Sequence, residues 1–136
     1  QTGQYGMVIP KFVRNALLNH PITIFGDGKQ TRCFCDVDDV TDGMIKLMSN
    51  KKAEGEIFNI GNDKSISIEE LAHKIKKLTN SKSKIEYVNY AEAYEEGFED
   101  MRHRKPDLSK VIEYIDYKPK YNLEQILKRT IDYFEE

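Results

Sequence analysis

The chain has 136 residues, of which 39% are hydrophobic and 32% charged, and its formal net charge is −2. One domain of that length can bury roughly two thirds of the surface its unfolded chain exposes, so this is a core-forming chain and not a disordered polyelectrolyte. Charges of both signs alternate, which excludes the basic footprint of a nucleic-acid binder, and no apolar run approaches the ~20 residues of a membrane span.

The chain opens on Gln1-Thr2-Gly3-Gln4 with no signal-peptide pattern, and an apolar helical period begins only at Ile9. That start predicts a piece of a longer protein. Ile9, Phe12, Val13, Ala16 and Leu17 then recur at helical spacing until Asn19-His20-Pro21. Ile22 to Phe25 reads as a short strand ended by Gly26-Asp27-Gly28, and Thr31 to Val37 as a second. Asp38 or Asp39 is placed to cap the next helix, with Val40, Met44, Leu47 and Met48 as its apolar face.

Glu56 to Ile60 reads as a third strand, closed by the turn Gly61-Asn62-Asp63. Ser67-Ile68-Glu69-Glu70 is a capping box, predicting a helix that buries Ile68, Leu71, Ala72, Ile75 and Leu78. A fourth strand is expected at Ile85 to Val88, followed by a loop over 89–105 rich in Tyr, Glu and Arg. Leu108, Val111, Ile112 and Ile115 mark a helix that Pro119 prevents from continuing. Asn122 and Gln125 open a last one, with Leu123, Ile126, Leu127, Ile131 and Phe134 inward. About five helices and four short strands make a small α/β domain covering the whole chain.

Two segments carry chemistry. Gly26-Asp27-Gly28-Lys29-Gln30-Thr31-Arg32 is either a hairpin turn with solvated cations or part of an anion site. It lacks the third glycine and following helix of a dinucleotide fingerprint. Arg102-His103-Arg104-Lys105 is either a surface patch balanced by Glu92, Glu95, Glu96, Glu99 and Asp100 or a phosphate cradle, for which the planar guanidinium fork is suited. Three apparent motifs are decoys. Tyr114 and Lys118 have Tyr-x-x-x-Lys spacing on a helix that is ending, Asp36 to Asp39 lacks the glycine and bidentate Glu of a calcium loop, and His103 has no nucleophile beside it in sequence. No metal-ligand spacing is present, and Cys33 and Cys35 are expected as free thiols in a reducing cytoplasm.

The order of Gly-x-Tyr-Gly-Met-Val-Ile-Pro-x-Phe (3–12), Pro-Ile-Thr-Ile-Phe-Gly-Asp-Gly-x-Gln-Thr-Arg (21–32), Val-Asp-Asp-Val (37–40), Phe-Asn-Ile-Gly-Asn (58–62), Arg-Lys-Pro-Asp (104–107) and Tyr-Lys-Pro (117–119) resembles one family over nearly the whole chain. The resemblance is to the C-terminal, substrate-binding part of NAD-dependent epimerases/dehydratases, the extended short-chain dehydrogenases/reductases. UDP-glucose 4-epimerases, UDP-glucuronate decarboxylases and dTDP-glucose 4,6-dehydratases belong there.

That resemblance implies a small C-terminal α/β domain whose N-terminal Rossmann partner, the holder of NAD and of a Tyr-x-x-x-Lys pair, lies outside this chain. It implies a grip on the nucleoside diphosphate of a nucleotide sugar, most plausibly a UDP-sugar, with Arg32 and Arg104 on the phosphates. Phe25 and Ile24 would lie beside the base, Asn59 near the nucleotide, and Val8 and Phe12 in the segment that covers it. The stretch Tyr94 to Asp100 is similar to decarboxylases acting on UDP-glucuronate, where the equivalent of Arg104 has an auxiliary active part. The parent would be a cytoplasmic homodimer bound to NAD. This chain by itself would hold no NAD or metal, carry no catalytic pair and show no turnover. A stand-alone nucleotide-sugar-binding module and a protein-interaction domain are the alternatives.

Overall fold

The computed structural model describes residues 7–89 and 101–135. Among these, five α-helices and four short strands are formed: α1 Val8–Leu17, β1 Ile22–Phe25, β2 Thr31–Cys33, α2 Val37–Met48, β3 Ser65–Ser67, α3 Ile68–Leu78, β4 Ile85–Val88, α4 Ser109–Ile115 and α5 Leu123–Glu135, with a 3-10 turn at Lys51–Ala53. None of the helices is long and apolar enough to cross a membrane. The described chain divides into two compact units. One is drawn from 7–31, 66–89, 101–103 and 127–135, the other from 32–65 and 104–126.

In the first unit β1 and β4 pair in parallel, Ile22 opposite Ile85 and Phe25 opposite Val88. The helical spacing of Ile9, Phe12, Val13 and Ala16 puts them on the inner face of α1, and all four are buried. Ile22 and Ile24 on β1, and Ile68, Leu71, Ala72 and Ile75 on α3, are buried with them. The capping box on α3 forms as expected: Ser67 Oγ accepts from the Glu70 amide at 3.2 Å and Glu70 Oε2 accepts from the Ser67 amide at 3.2 Å. Leu78, expected inside, is exposed, because it lies in the last turn of the helix.

The second unit is built on Leu108, Val111 and Tyr117, with Leu47, Phe58, Ile60 and Ile115 packed around them. Here the structure departs from the sequence reading in several places. Residues 56–60 are extended but form no strand. Their alternation is real, since Phe58 and Ile60 turn toward the cluster while Ile57 faces out; the segment packs on a hydrophobic cluster instead of joining a ladder. The third strand is Ser65–Ser67, immediately before α3, and it pairs with β2. β2 itself stops at Cys33, because Asp36 leaves the extended run to cap α2.

Asp36, and neither Asp38 nor Asp39, is the N-cap of α2; its Oδ1 accepts from the Asp38 amide at 3.0 Å. The face of α2 turned to the core carries Asp39 and Gly43, while Met44 and Met48, expected inside, are exposed. At the other end of this unit α4 stops at Ile115 on a left-handed Asp116 (φ 48°), three residues ahead of Pro119. The Asn122–Gln125 pair caps α5 reciprocally, with both bonds at 2.9 Å. Of the face expected to be inward on α5, Ile126, Leu127 and Ile131 are buried and Phe134 is exposed.

Candidate functional site

The glycine-rich segment after β1 is a turn of two left-handed glycines, Gly26 (φ 70°) and Gly28 (φ 72°). It does not join a hairpin, because β1 pairs with β4 and β2 with β3. A Cβ on Gly28 would meet Glu69 Cβ at 3.0 Å and Ile24 Cγ2 at 3.1 Å, so the turn is pressed against the start of α3. The first amides of that helix close on it, Glu69 N donating to Gly28 O at 3.0 Å and Ile68 N to Gln30 O at 3.1 Å. Gln30 is buried and donates through Nε2 to Phe25 O at 2.9 Å. Gln30 and the two glycines thus hold the shape of this segment, and Arg32 follows it, half-buried on β2.

Thr31 then pairs in parallel with His103, its amide donating to Arg102 O at 2.8 Å and its Oγ1 lying 3.0 Å from His103 Nδ1. This pairing was not legible in the sequence, which has the two residues 72 positions apart. It sorts the basic run 102–105. Arg102 forms an ion pair with Asp27 at 2.7 Å. The Asp27 carboxyl is held below its usual range by the Lys29 amide first and by Arg102 second. Lys105 stands 4.0 Å from Asp63. Arg104 is exposed and, among the described residues, makes no ion pair or hydrogen bond.

In the second unit the sequence motifs converge. Asn59, exposed, donates through Nδ2 to Asp107 O at 3.3 Å. Asp107 caps the start of α4, accepting from the Ser109 amide at 2.9 Å and the Ser109 hydroxyl at 2.7 Å, and both bonds hold its carboxyl below the usual range. Pro106 Cγ would lie 3.8 Å from a Cβ on Gly61. Tyr117 is buried and donates from its hydroxyl to Gly61 O at 3.0 Å, with Cys35 Sγ 3.5 Å away. Burial pushes the Tyr117 phenol far up and raises the Cys35 thiol as well. Asp39 is 2% exposed and accepts from the amides of Lys120 at 2.9 Å and Tyr121 at 3.1 Å. Neither Asp39 nor Tyr117 stood out as essential in the sequence; the signal for Asp39 was an acidic residue at a position where the helix turns inward.

The remaining site expectations fall in the first unit. Val8 and Phe25 are half-buried, whereas Phe12 and Ile24 are buried in the core, so at Ile24 only the backbone is available to a ligand. The Ile22 amide donates to Lys84 O, just before β4, and the Gly26 amide to Val88 O (2.8 Å each), so the alternation of a parallel ladder turns the amides of Thr23 and Phe25 away from β4. Residues 3–6 and 94–100, which carry part of the first motif and the decarboxylase-like stretch, lie outside the described residues. Tyr114 and Lys118 do not share a helix; Tyr114 packs edge-on against Phe58 with ring centroids 5.0 Å apart.

The profile of the NAD dependent epimerase/dehydratase family matches residues 1–61. A UDP-N-acetyl-alpha-D-glucosaminuronate decarboxylase of Bacillus cytotoxicus is 45% identical over 134 residues, which is 98% of this chain and 41% of that protein. UDP-glucuronic acid decarboxylase 1 of Arabidopsis thaliana is 36% identical over 95% of this chain and 28% of its own length. Among solved structures, the UDP-glucose 4-epimerase of Thermotoga maritima with UDP-glucose is 30% identical with a TM-score of 0.84, over 96% of this chain and 40% of that one. An epimerase of Methanothermobacter thermautotrophicus is 27% identical with a TM-score of 0.88, over 98% and 38%. This chain thus spans about two fifths or less of the relatives it matches, and it belongs to the NAD-dependent epimerase/dehydratase family of extended short-chain dehydrogenases/reductases.

Proposed function

We propose that this chain is the substrate-holding part of an NAD-dependent enzyme acting on a UDP-linked sugar, with a UDP-uronic acid decarboxylase as its parent activity. The observation that carries the reading is the Thr31–His103 pairing. Arg32 and Arg104 each follow directly on one residue of that isolated bridge, from segments far apart in sequence. A diphosphate of charge about −2 would accept paired hydrogen bonds from the planar fork of each arginine. In the first unit Phe25 and the outward amides of β1 would meet the base with Val8 nearby, while Phe12, buried in the core, would act only through packing.

The decarboxylase preference rests on the curated relatives: the proteins 45% and 36% identical to this chain are decarboxylases of UDP-linked uronic acids. Arg104 would then serve as an auxiliary to the reaction as well as a phosphate contact. NAD would supply the transient oxidation of the sugar at C4. Among the described residues the Gly-Asp-Gly turn leads into a strand and not into a helix, which supports placing NAD on a part of the family fold beyond these residues. The chain alone is expected to release no carbon dioxide from UDP-glucuronic acid when NAD is added. In the parent, this part fixes the nucleotide so that binding energy away from the reacting carbon is spent on orientation. The parent is expected to be a soluble homodimer.

Calorimetry with UDP tests the grip. Arg32→Ala and Arg104→Ala should each weaken binding ~10-fold or more, the scale of a charge-assisted hydrogen-bond pair. Equal heats for the parent chain and both variants would refute the nucleotide reading and favour an interaction domain.

A further inference from the structure

Arg104 is an exposed cation whose neighbours in the chain are tied on both sides, and the ties differ in quality. On one side Lys105 stands 4.0 Å from Asp63, and both side chains are more than half exposed, so that pair holds little. On the other side Arg102 is ion-paired with Asp27 at 2.7 Å, and its carbonyl accepts from the Thr31 amide at 2.8 Å. His103 adjoins Arg104 directly, and its Nδ1 lies 3.0 Å from Thr31 Oγ1. A backbone bridge and a side-chain hydrogen bond therefore join the same two residues, Thr31 and His103.

Either tie alone would be weak. Among the described residues the pairing is an isolated bridge, and a single hydrogen bond open to water gains little over the bonds to water that it replaces. Together they reinforce each other, because the bridge already sets the two residues opposite one another and the side-chain bond then costs little further freedom. A hydroxyl both donates and accepts, so Thr31 can give its proton to a bare Nδ1 or accept from a protonated one. The phosphate grip proposed above makes no use of the imidazole itself. We infer that His103 is a positioning residue for Arg104: through its bond to Thr31 it fixes the start of the Arg-Lys-Pro segment, so that the Arg104 fork meets the phosphates with less ordering left to do on binding. This inference rests on the nucleotide reading.

Calorimetry with UDP on the whole chain tests it. Thr31→Val keeps the backbone bridge and removes the hydroxyl; it and His103→Leu should each weaken UDP about 5-fold, the worth of one hydrogen bond. The two substitutions together should cost about the same factor and not the product, since either one removes the same bond. Thr31→Ser and His103→Asn keep groups able to form the bond and should restore the affinity. In an Arg104→Ala background Thr31→Val should have no further effect, whereas damage to the fold would lower affinity there too. His103 is exposed, so His103→Leu carries the test even where Thr31→Val, at a half-buried position, disturbs β2. The inference is overturned if Arg104→Ala weakens UDP while Thr31→Val and His103→Leu do not, or if their losses persist in full without Arg104. Absence of UDP binding, or binding indifferent to Arg104, overturns the nucleotide reading and this inference with it.

Discussion

Replacing Asp39 by alanine should cost the chain more than replacing any of its surface carboxylates. The side chain is 2% exposed and each carboxylate oxygen accepts one backbone amide, Lys120 at 2.9 Å and Tyr121 at 3.1 Å. Alanine removes both acceptors and leaves two N–H groups without a partner in a position that water does not reach readily. Each bond to a charged acceptor contributes about 1.5–3 kcal/mol, and the small cavity adds to the loss, so we expect about 3–4 kcal/mol in total. For a domain of this size that corresponds to roughly 10–15 °C in Tm. Asp39→Asn should recover about half, because the amide oxygen can serve one of the two donors while its NH2 opposes the other. Urea unfolding followed by circular dichroism measures both. A loss below ~1 kcal/mol for Asp39→Ala would show that the 120–121 amides find other partners and that the carboxylate does not hold this segment to α2.

Tyr117→Phe should cost about 1–2 kcal/mol in urea unfolding, since Gly61 O loses its donor while the ring still fills its place. The Tyr117 phenol has its pKa raised by burial above the ordinary value of 10.0, so its contribution is complete below pH 10 and declines as the pH climbs through that value toward the folded one; alkaline melts should show a steeper decline for the wild-type chain than for Tyr117→Phe. The lowered carboxyls of Asp27, Asp42, Glu70 and Asp107 act in the opposite window: their contribution is present above about pH 4 and lost on acidification, so the chain should lose stability between about pH 5 and 2, measurable by Tm against pH. Gly28→Ala combines a left-handed backbone with a 3.0 Å approach to Glu69 Cβ and should destabilise by about 2–3 kcal/mol in the same unfolding assay.

What the sequence disclosed was whatever depends on neighbours along the chain. Local periodicity and capping placed α1, α3 and α5, and β1 and β4 fell where their apolar runs were. The errors share a cause. Residues 56–60 and β3 were mistaken for each other because a strand is defined by the partner it finds, and alternation along one segment does not name that partner. Met44 and Met48 were assigned to the core because apolarity at helical spacing does not say which apolar face the chain's own packing will bury. The same limit applies to the functional residues. Arg32 and Arg104 were named from the order of motifs, yet nothing in the sequence relates one to the other until Thr31 pairs with His103.

The motifs themselves divide by physical role once their partners are known. Val-Asp-Asp-Val and Tyr-Lys-Pro entered as parts of the family resemblance, and in the structure both are fastenings: Asp39 fixes the backbone just after Pro119, and Tyr117 fixes Gly61. Gln30 does the same for β1 through Phe25 O, and Asp107 for the start of α4. Each of these polar side chains makes at least one hydrogen bond to the chain's own backbone, which fixes the course of the loops. Arg104 is different: it is exposed, among the described residues it has no partner, and it follows directly on the one place where the basic run is pinned to a strand. A cation whose place along the chain is fixed by a neighbouring backbone pairing gives up conformational freedom, and an anion bound there would offset part of that cost. The fastenings account for these inward-facing motif residues, and Arg104 is left as the motif residue that the proposed phosphate grip would use.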